Sequence, residues 1–260
     1  MPSGPVQRHL SVKVTFPSAI HVVGAGAIGT FLAVKLHEAG LPVTVVARGE
    51  RLLQISRDGC SFVDAQGAMH HARIGCAERL ADAGKPDFTI LATKAAALPR
   101  ILDNRALHSL GQSRALLTVQ NGVEAPWLVR AGMPDVAVVG SRVHGFFEME
   151  GDVVRHKGVL PHVLLGGIDE ASHAAAYCFT ELFNVAGIGV DLTDDIASVL
   201  WEKLLLAGSV GAVATACSVP VGPLLADPQR RATLQAAMEK VSSVAAARNV
   251  RLPGDLVPKV

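Results

Sequence analysis

Ala19-Ile20-His21-Val22-Val23-Gly24-Ala25-Gly26-Ala27-Ile28-Gly29 joins an apolar, β-branched run to the start of a helix through three spaced glycines. The run predicts a parallel strand covered on both faces. Gly24 then allows a tight turn, Gly26 lets the backbone approach a pyrophosphate, and Gly29 lets the helix pack closely on the strand. A helix follows over Thr30 to Ala39, apolar at Phe31, Leu32, Val34 and Leu36. The free N–H groups and positive dipole end at its start favour a bound phosphate. In this strand–turn–helix setting, Gly24, Ala25, Gly26, Ala27, Ile28 and Gly29 predict a dinucleotide site.

Working outward, Gly40-Leu41-Pro42 turns the chain into a second buried strand, Val43 to Ala47, which completes a βαβ unit. Gly59 to Ile74 alternates and turns at Gln66-Gly67, predicting a hairpin or antiparallel excursion. Phe88 to Ala92 and Ala115 to Val119 predict further buried strands, with a helical stretch between them over Ala95 to Leu110 that Pro99 interrupts. Val136 to Val139 predicts another strand, and Val153 to Leu165 two more around Gly158. Ala171 to Ala186 reads as helix and Ile188 to Leu192 as a short strand. From Asp194 onward helix dominates: Asp194 or Asp195 caps one running to Cys217, and Asp227-Pro228 begins another reaching Ala247. Alternating strands and helices followed by helices alone predict an α/β, doubly wound parallel sheet and then a smaller all-helical domain. The expected organisation is a disordered extension over residues 1–18, a nucleotide domain over 19–191 and a helical domain over 192–260.

The 260 residues carry a formal charge of only +1, which gives no electrostatic reason for a nucleic-acid or anionic-membrane partner. No apolar run reaches membrane-spanning length, and Met1 to Ser18 lacks the apolar centre of a signal peptide. Cys60, Cys76, Cys178 and Cys217 are widely spaced, which fits reduced thiols in a cytoplasmic protein. His70-His71 with Cys60 and Cys76 match no structural zinc spacing, so no metal is expected. His144 and His156 read as structural or loop histidines.

Four positions carry the expected chemistry. Arg48 directly follows the second strand, where an acidic residue would accept the ribose hydroxyls of NAD. Arginine there instead favours the 2′-phosphate of NADP(H), against the plainer reading of a solvated loop arginine. Lys94 and Asn121 each follow a strand, at the edge where open α/β sheets collect ligands. Lys94 could meet a cofactor phosphate or ribose, and Asn121 could orient the nicotinamide or a substrate oxygen; ordinary loop chemistry is the alternative. Lys203 interrupts the apolar run Val199 to Ala207, and its helical face continues through Ala207 and Gly211. A desolvated lysine facing a groove would donate a proton to a carbonyl; a snorkelling surface lysine beside Glu202 is the plain alternative.

The set resembles the ketopantoate reductase (2-dehydropantoate 2-reductase) family. The matching pieces are Gly24 to Gly29, Ala47-Arg48, Thr93-Lys94-Ala95, Gln120-Asn121-Gly122-Val123, Gly140 to His144 with Gly151, and Trp201-Glu202-Lys203-Leu204. The resemblance implies a Rossmann-type domain, a helical C-terminal domain, and a cleft between them for NADPH and a small 2-oxo acid. It further implies reduction of 2-dehydropantoate to pantoate in pantothenate biosynthesis, with Lys203 as catalytic acid and Lys94 and Asn121 at the cofactor. Asn121 would also stand near the substrate. This chain departs from the family at Ala207, Gly211 and Val221, where polar substrate contacts are usual, and it ends before the family's late glutamate. A paralogue acting on a different carbonyl compound, or a non-catalytic NADP(H) sensor, are the readings those departures favour. The apolar helical domain fits a homodimer.

Overall fold

The computed structural model describes residues 17–102, 104–253 and 256. The expected extension over 1–18 lies outside the described residues except for its last two positions. There Pro17 is buried, and the Ser18 hydroxyl donates to the Asp87 carboxylate at 2.7 Å.

The β-branched runs become strands of one sheet. β1 (Ile20–Val23), fully buried, leads through the glycine turn into α1 (Ala27–Glu38) and then β2 (Val43–Val46). α1 begins earlier than its apolar periodicity implies, with Gly26 as its N-cap, and it is buried from Gly29 through Val34. α2 (Gly49–Asp58) precedes the hairpin of β3 (Cys60–Val63) and β4 (Met69–Ala72), whose turn includes Gly67 at φ +87°. β5 (Gly75–Ala77) and β6 (Phe88–Leu91) follow. Pro99 does divide the next helical stretch: it sits in the first turn of α3 (Leu98–Ile101), where its missing N–H costs nothing, and α4 (Asn104–Leu110) is separate. β7 (Ala115–Thr118) and α5 (Ala125–Gly132) complete this half.

β5, β2, β1, β6, β7 and β8 run side by side in that order, each pair parallel. The chain crosses from β1 to β2 on one side and later returns to β6 on the other. The crevice outside the carboxyl ends of β1 and β6 is therefore the topological switch point, where ligands of such sheets bind.

β8 (Ala137–Glu150) and β9 (Val153–Gly167) correct the sequence reading. The strand expected over Val136 to Val139 continues to Glu150, and the two strands expected around Gly158 are one. Its register against β8 breaks opposite Gly145, so that residues 158–161 bulge out. Gly158 has φ +76° and Pro161 lacks a donor, which explains why pairing fails there. β3 pairs with the first half of β9, and β10 (Gly189–Leu192) with the second half after α6 (His173–Val185).

Asp195 caps the next helix by accepting from the Ser198 N–H at 3.0 Å. The helix comprises α7 (Ile196–Lys203), a π-helical turn over Leu204–Gly208, and α8 (Ser209–Cys217). α9 (Val221–Ala226) was not legible in the sequence, whereas α10 (Pro228–Ala247) starts and ends where Asp227-Pro228 and its composition place it. Leu205, Val213, Leu224, Leu234 and Met238 form a small core separate from those of the sheet. Contrary to the expectation from apolar runs, Ile196–Cys217 is long enough to cross a membrane, with mean hydropathy 1.5. Glu202 and Lys203 lie within it, and both reach across to β8. The four cysteines are free thiols, and burial pushes that of Cys60 up to about 11.

Gly140 and Gly166 face each other on β8 and β9. A Cβ on Gly140 would stand 2.9 Å from Ile196, and one on Gly166 would stand 2.5 Å from the Thr193 carbonyl. Their absence lets the start of α7 seat on the sheet, and this seat sets where Lys203 arrives.

Candidate functional site

Two clefts lie along the carboxyl edge of the parallel strands. The first, about 720 Å³, is bordered by Gly24, Ala25 and Gly26 of the glycine turn. Gly24 holds φ +104°, which an L side chain rarely adopts. A Cβ on Gly29 would lie 1.9 Å from the Gly24 carbonyl oxygen, so this third glycine serves the packing of turn on helix. Gly26 differs: nothing stands within 4 Å of the position a Cβ would take. Its open side is the room a pyrophosphate needs.

Arg48, Arg51, Arg79 and Arg100 border the same cleft. Arg51, which the sequence reading missed, is a brace: Nε donates to the Ala25 carbonyl at 3.0 Å and Nη2 to the Thr30 hydroxyl at 2.9 Å. Arg79 is paired with Asp82 at 2.8 Å. Arg48 and Arg100 have no carboxylate partner among the described residues. Thr93 borders the cleft, and its buried Oγ1 lacks a partner among the described residues. Lys94 does not join it: its side chain is exposed and borders neither cleft, because the strand's last turn points Thr93 inward instead. An open glycine backbone, two unpaired cations and an orphaned hydroxyl fit a dinucleotide phosphate chain.

The second cleft, about 460 Å³, is bordered by Ile28 of α1, Asn121 and Lys203. Ala27 borders neither cleft, so the glycine turn reaches this side through Ile28. Gln120 anchors the loop after β7 by donating its Nε2 to the Leu91 carbonyl at 2.8 Å, and Gly122 turns it at φ +104°. Lys203, from the last turn of α7, donates to Asn121 Oδ1 at 2.8 Å and to the Val143 carbonyl at 2.9 Å. An ammonium has three donors, so one N–H is left for a ligand. Burial holds the Lys203 amine below the usual lysine range, and the like charge of Arg142 adds to this. Arg142 is in turn paired with Glu202 at 3.4 Å.

Lys203 and Asn121 are thus brought together, while Ala207 and Gly211 are not part of the cleft. Both are exposed, because the π turn inserts an extra residue and rotates the helical face expected to continue from Lys203. Val221 is likewise exposed and borders neither cleft. Phe146, Phe147, Glu148 and Lys157 of the β8–β9 hairpin complete the wall. They escaped the sequence reading because only the long hairpin carries them to the site. His156 is buried and its Nε2 lies 2.7 Å from the Val159 carbonyl, a structural role as expected.

A doubly wound sheet with an open glycine turn at its switch point and a partly buried lysine on the neighbouring cleft is the arrangement of a Rossmann-type oxidoreductase. The chain matches the family model of ketopantoate reductase PanE/ApbA over residues 20–170 and that of its C-terminal part over 195–260. It belongs to the ketopantoate reductase family. It is 29% identical over 258 residues to the 2-dehydropantoate 2-reductase of Mesorhizobium japonicum, covering 90% of this chain and 78% of that protein. Its fold matches a PanE/ApbA family ketopantoate reductase from Ralstonia eutropha with TM-score 0.80, 24% identity, and coverage of 92% and 77% of the two chains. D-Mandelate dehydrogenase, solved with NADH and anilino(oxo)acetate, matches with TM-score 0.80, 21% identity, and coverage of 92% and 76%.

Proposed function

We propose that this protein reduces a small 2-oxo acid to the 2-hydroxy acid with NADPH, as the 2-dehydropantoate 2-reductases of pantothenate biosynthesis do. The observation that carries the reading is the Lys203 amine at 2.8 Å from Asn121, with one donor free toward a cleft that Ile28 of the glycine-turn helix also borders. Residues 19–191 hold the nucleotide and 192–260 supply the lysine in this reading, which the separate small core of the helical part supports. Gly24, Ala25 and Gly26 would take the pyrophosphate. The unpaired Arg48 supports a 2′-phosphate and hence NADPH over NADH. The bound cofactor supplies hydride to C2 of the substrate. Lys203 donates its free N–H to the carbonyl oxygen, polarises it, and yields its proton as the alkoxide forms. A lowered pKa eases that transfer, and Asn121 with the Val143 carbonyl aims the amine. The four free thiols support a cytoplasmic setting.

The test is NADPH oxidation with 2-oxo acids, measured alongside NADPH binding. Lys203→Ala is expected to abolish turnover and leave NADPH affinity nearly unchanged. Full activity in that variant would remove the lysine from the chemistry.

A further inference from the structure

Arg51 belongs to the first turn of α2, yet its side chain reaches back to the glycine turn. Nε donates to the Ala25 carbonyl at 3.0 Å and Nη2 to the Thr30 hydroxyl at 2.9 Å. That buried hydroxyl donates to the same Ala25 carbonyl at 3.3 Å, and the Thr30 N–H donates to the Gly26 carbonyl at 2.9 Å. A trans peptide is planar, with its C=O and N–H pointing opposite ways. Holding the Ala25 carbonyl therefore fixes the direction of the Gly26 N–H. Gly26 is the N-cap of α1, where backbone donors have no partner within the helix.

The guanidinium itself has little left to offer a ligand. Nη1 donates to Gln54 Oε1 and, at 3.1 Å, to the Asp152 carbonyl, so four of its five N–H donors are used inside the protein. Its side chain is only 17% exposed, although it borders the nucleotide cleft. Asp152 stands in the turn between β8 and β9, so one side chain ties α2, the glycine turn and that hairpin together. A lysine in its place would keep the charge but put all its donors on one nitrogen, which cannot reproduce this fork. Arg48, three residues earlier, borders the same cleft with no carboxylate partner among the described residues. Attraction for phosphate and the shape of the turn thus fall to different arginines.

We propose that Arg51 is a positioning residue of the nucleotide site: its fork holds the glycine turn in the shape that receives the pyrophosphate, and it leaves the 2′-phosphate to other cations on the cleft. The proposal rests on the dinucleotide reading above and adds to it a residue that shapes the site without touching the cofactor's charge.

Arg51→Lys tests it against NADPH, NADH and adenosine 2′,5′-bisphosphate, which carries the 2′-phosphate and lacks the pyrophosphate. Calorimetric titration is expected to show NADPH and NADH weakened by the same factor, about 10-fold or more for hydrogen bonds lost from a charged group. The bisphosphate is expected to bind as it does to the parent. Parent-like affinity for NADPH in Arg51→Lys would show that the charge suffices, and would overturn the proposal. So would a loss confined to NADPH and the bisphosphate, which would put Arg51 on the 2′-phosphate. An equal loss for all three ligands would reduce Arg51 to a folding role and overturn it too. Should Arg51→Lys fail to fold, Thr30→Val carries the test, because it removes the hydroxyl between the guanidinium and Ala25 while keeping the side chain's shape. The same pattern is expected at smaller size, and unchanged affinity for both dinucleotides would sink the proposal. Binding is read without turnover, so the result does not depend on Lys203 or on the substrate. If the parent protein binds neither dinucleotide, the nucleotide reading itself fails, and this proposal fails with it.

Discussion

Nζ of Lys203 and Oδ1 of Asn121 meet at 2.8 Å although 82 residues separate them in the chain. One arrives on the last turn of α7, the other on the loop after β7, and Gln120 fixes that loop to the neighbouring strand. Hydrogen bonds to charged groups are worth roughly 1.5–3 kcal/mol, so Asn121→Ala should lower kcat/KM about 10- to 100-fold. Steady-state kinetics with NADPH and a 2-oxo acid check this. An unchanged kcat/KM would show that the amine needs no such guide.

The pH dependence follows from the same amine. Its pKa is held below the free lysine value of 10.5, first by burial and then by Arg142. As a proton donor Lys203 must be protonated, so kcat/KM should fall as pH rises through this lowered pKa. Stability runs the other way. Between the lowered pKa and 10.5 the unfolded chain binds the proton more tightly, so stability from this group rises with pH in that window. Below the lowered pKa the full cost of burying the charge is present. Arg142→Gln removes the like charge and frees Glu202 to attract the ammonium, so the alkaline limb should move upward; Arg142→Lys should restore it. A pH–rate profile that stays in place in Arg142→Gln would separate Arg142 from the lysine.

Much of this fold was legible because its signals are local. The glycine turn, the β-branched strands, and the caps Asp195 and Asp227 each depend on a few neighbouring residues. The π turn is different: nothing in Leu204-Leu205-Leu206 sets it apart from ordinary helix, yet it turns Ala207 and Gly211 away from the cleft. The run from Val143 to Glu150 gave no clear alternation, and it is paired along its length by a strand that only tertiary folding supplies. Arg51 and Arg142 act through partners more than twenty residues away in sequence, or on another element, so no spacing rule could single them out. Lys203 was visible as a charge in an apolar helix, but its partners were not.

Arg48 tests the cofactor. It stands two residues after β2 as the N-cap of α2, borders the nucleotide cleft, and has no carboxylate partner among the described residues. A guanidinium pairs with a phosphate through a planar fork, whereas a carboxylate in its place repels phosphate and accepts from ribose hydroxyls. Arg48→Asp should reduce the preference for NADPH over NADH by about 10-fold or more, taking one charge-assisted contact as 1.5–3 kcal/mol. Arg100, on the same cleft, would retain part of the phosphate attraction. Dissociation constants for both cofactors check it, and an unaltered ratio would place the 2′-phosphate elsewhere.

Gly26 and Gly29 should fail in opposite ways when each is changed to alanine. At Gly26 φ is −73°, a value any residue adopts, and no atom lies within 4 Å of the new Cβ. The fold should tolerate Gly26→Ala with an unchanged melting temperature, while the methyl occupies the space the pyrophosphate requires and weakens NADPH binding about 10-fold or more. At Gly29 the new Cβ would sit 1.9 Å from the Gly24 carbonyl oxygen, a backbone atom that cannot swing aside as a side chain can. Gly29→Ala should therefore destabilise the protein by about 1–3 kcal/mol, the usual cost of overpacking, and lower its melting temperature even without cofactor. Thermal unfolding and NADPH titration of the two variants separate these effects. Should Gly26→Ala bind NADPH as tightly as the parent, the pyrophosphate does not rest on this turn.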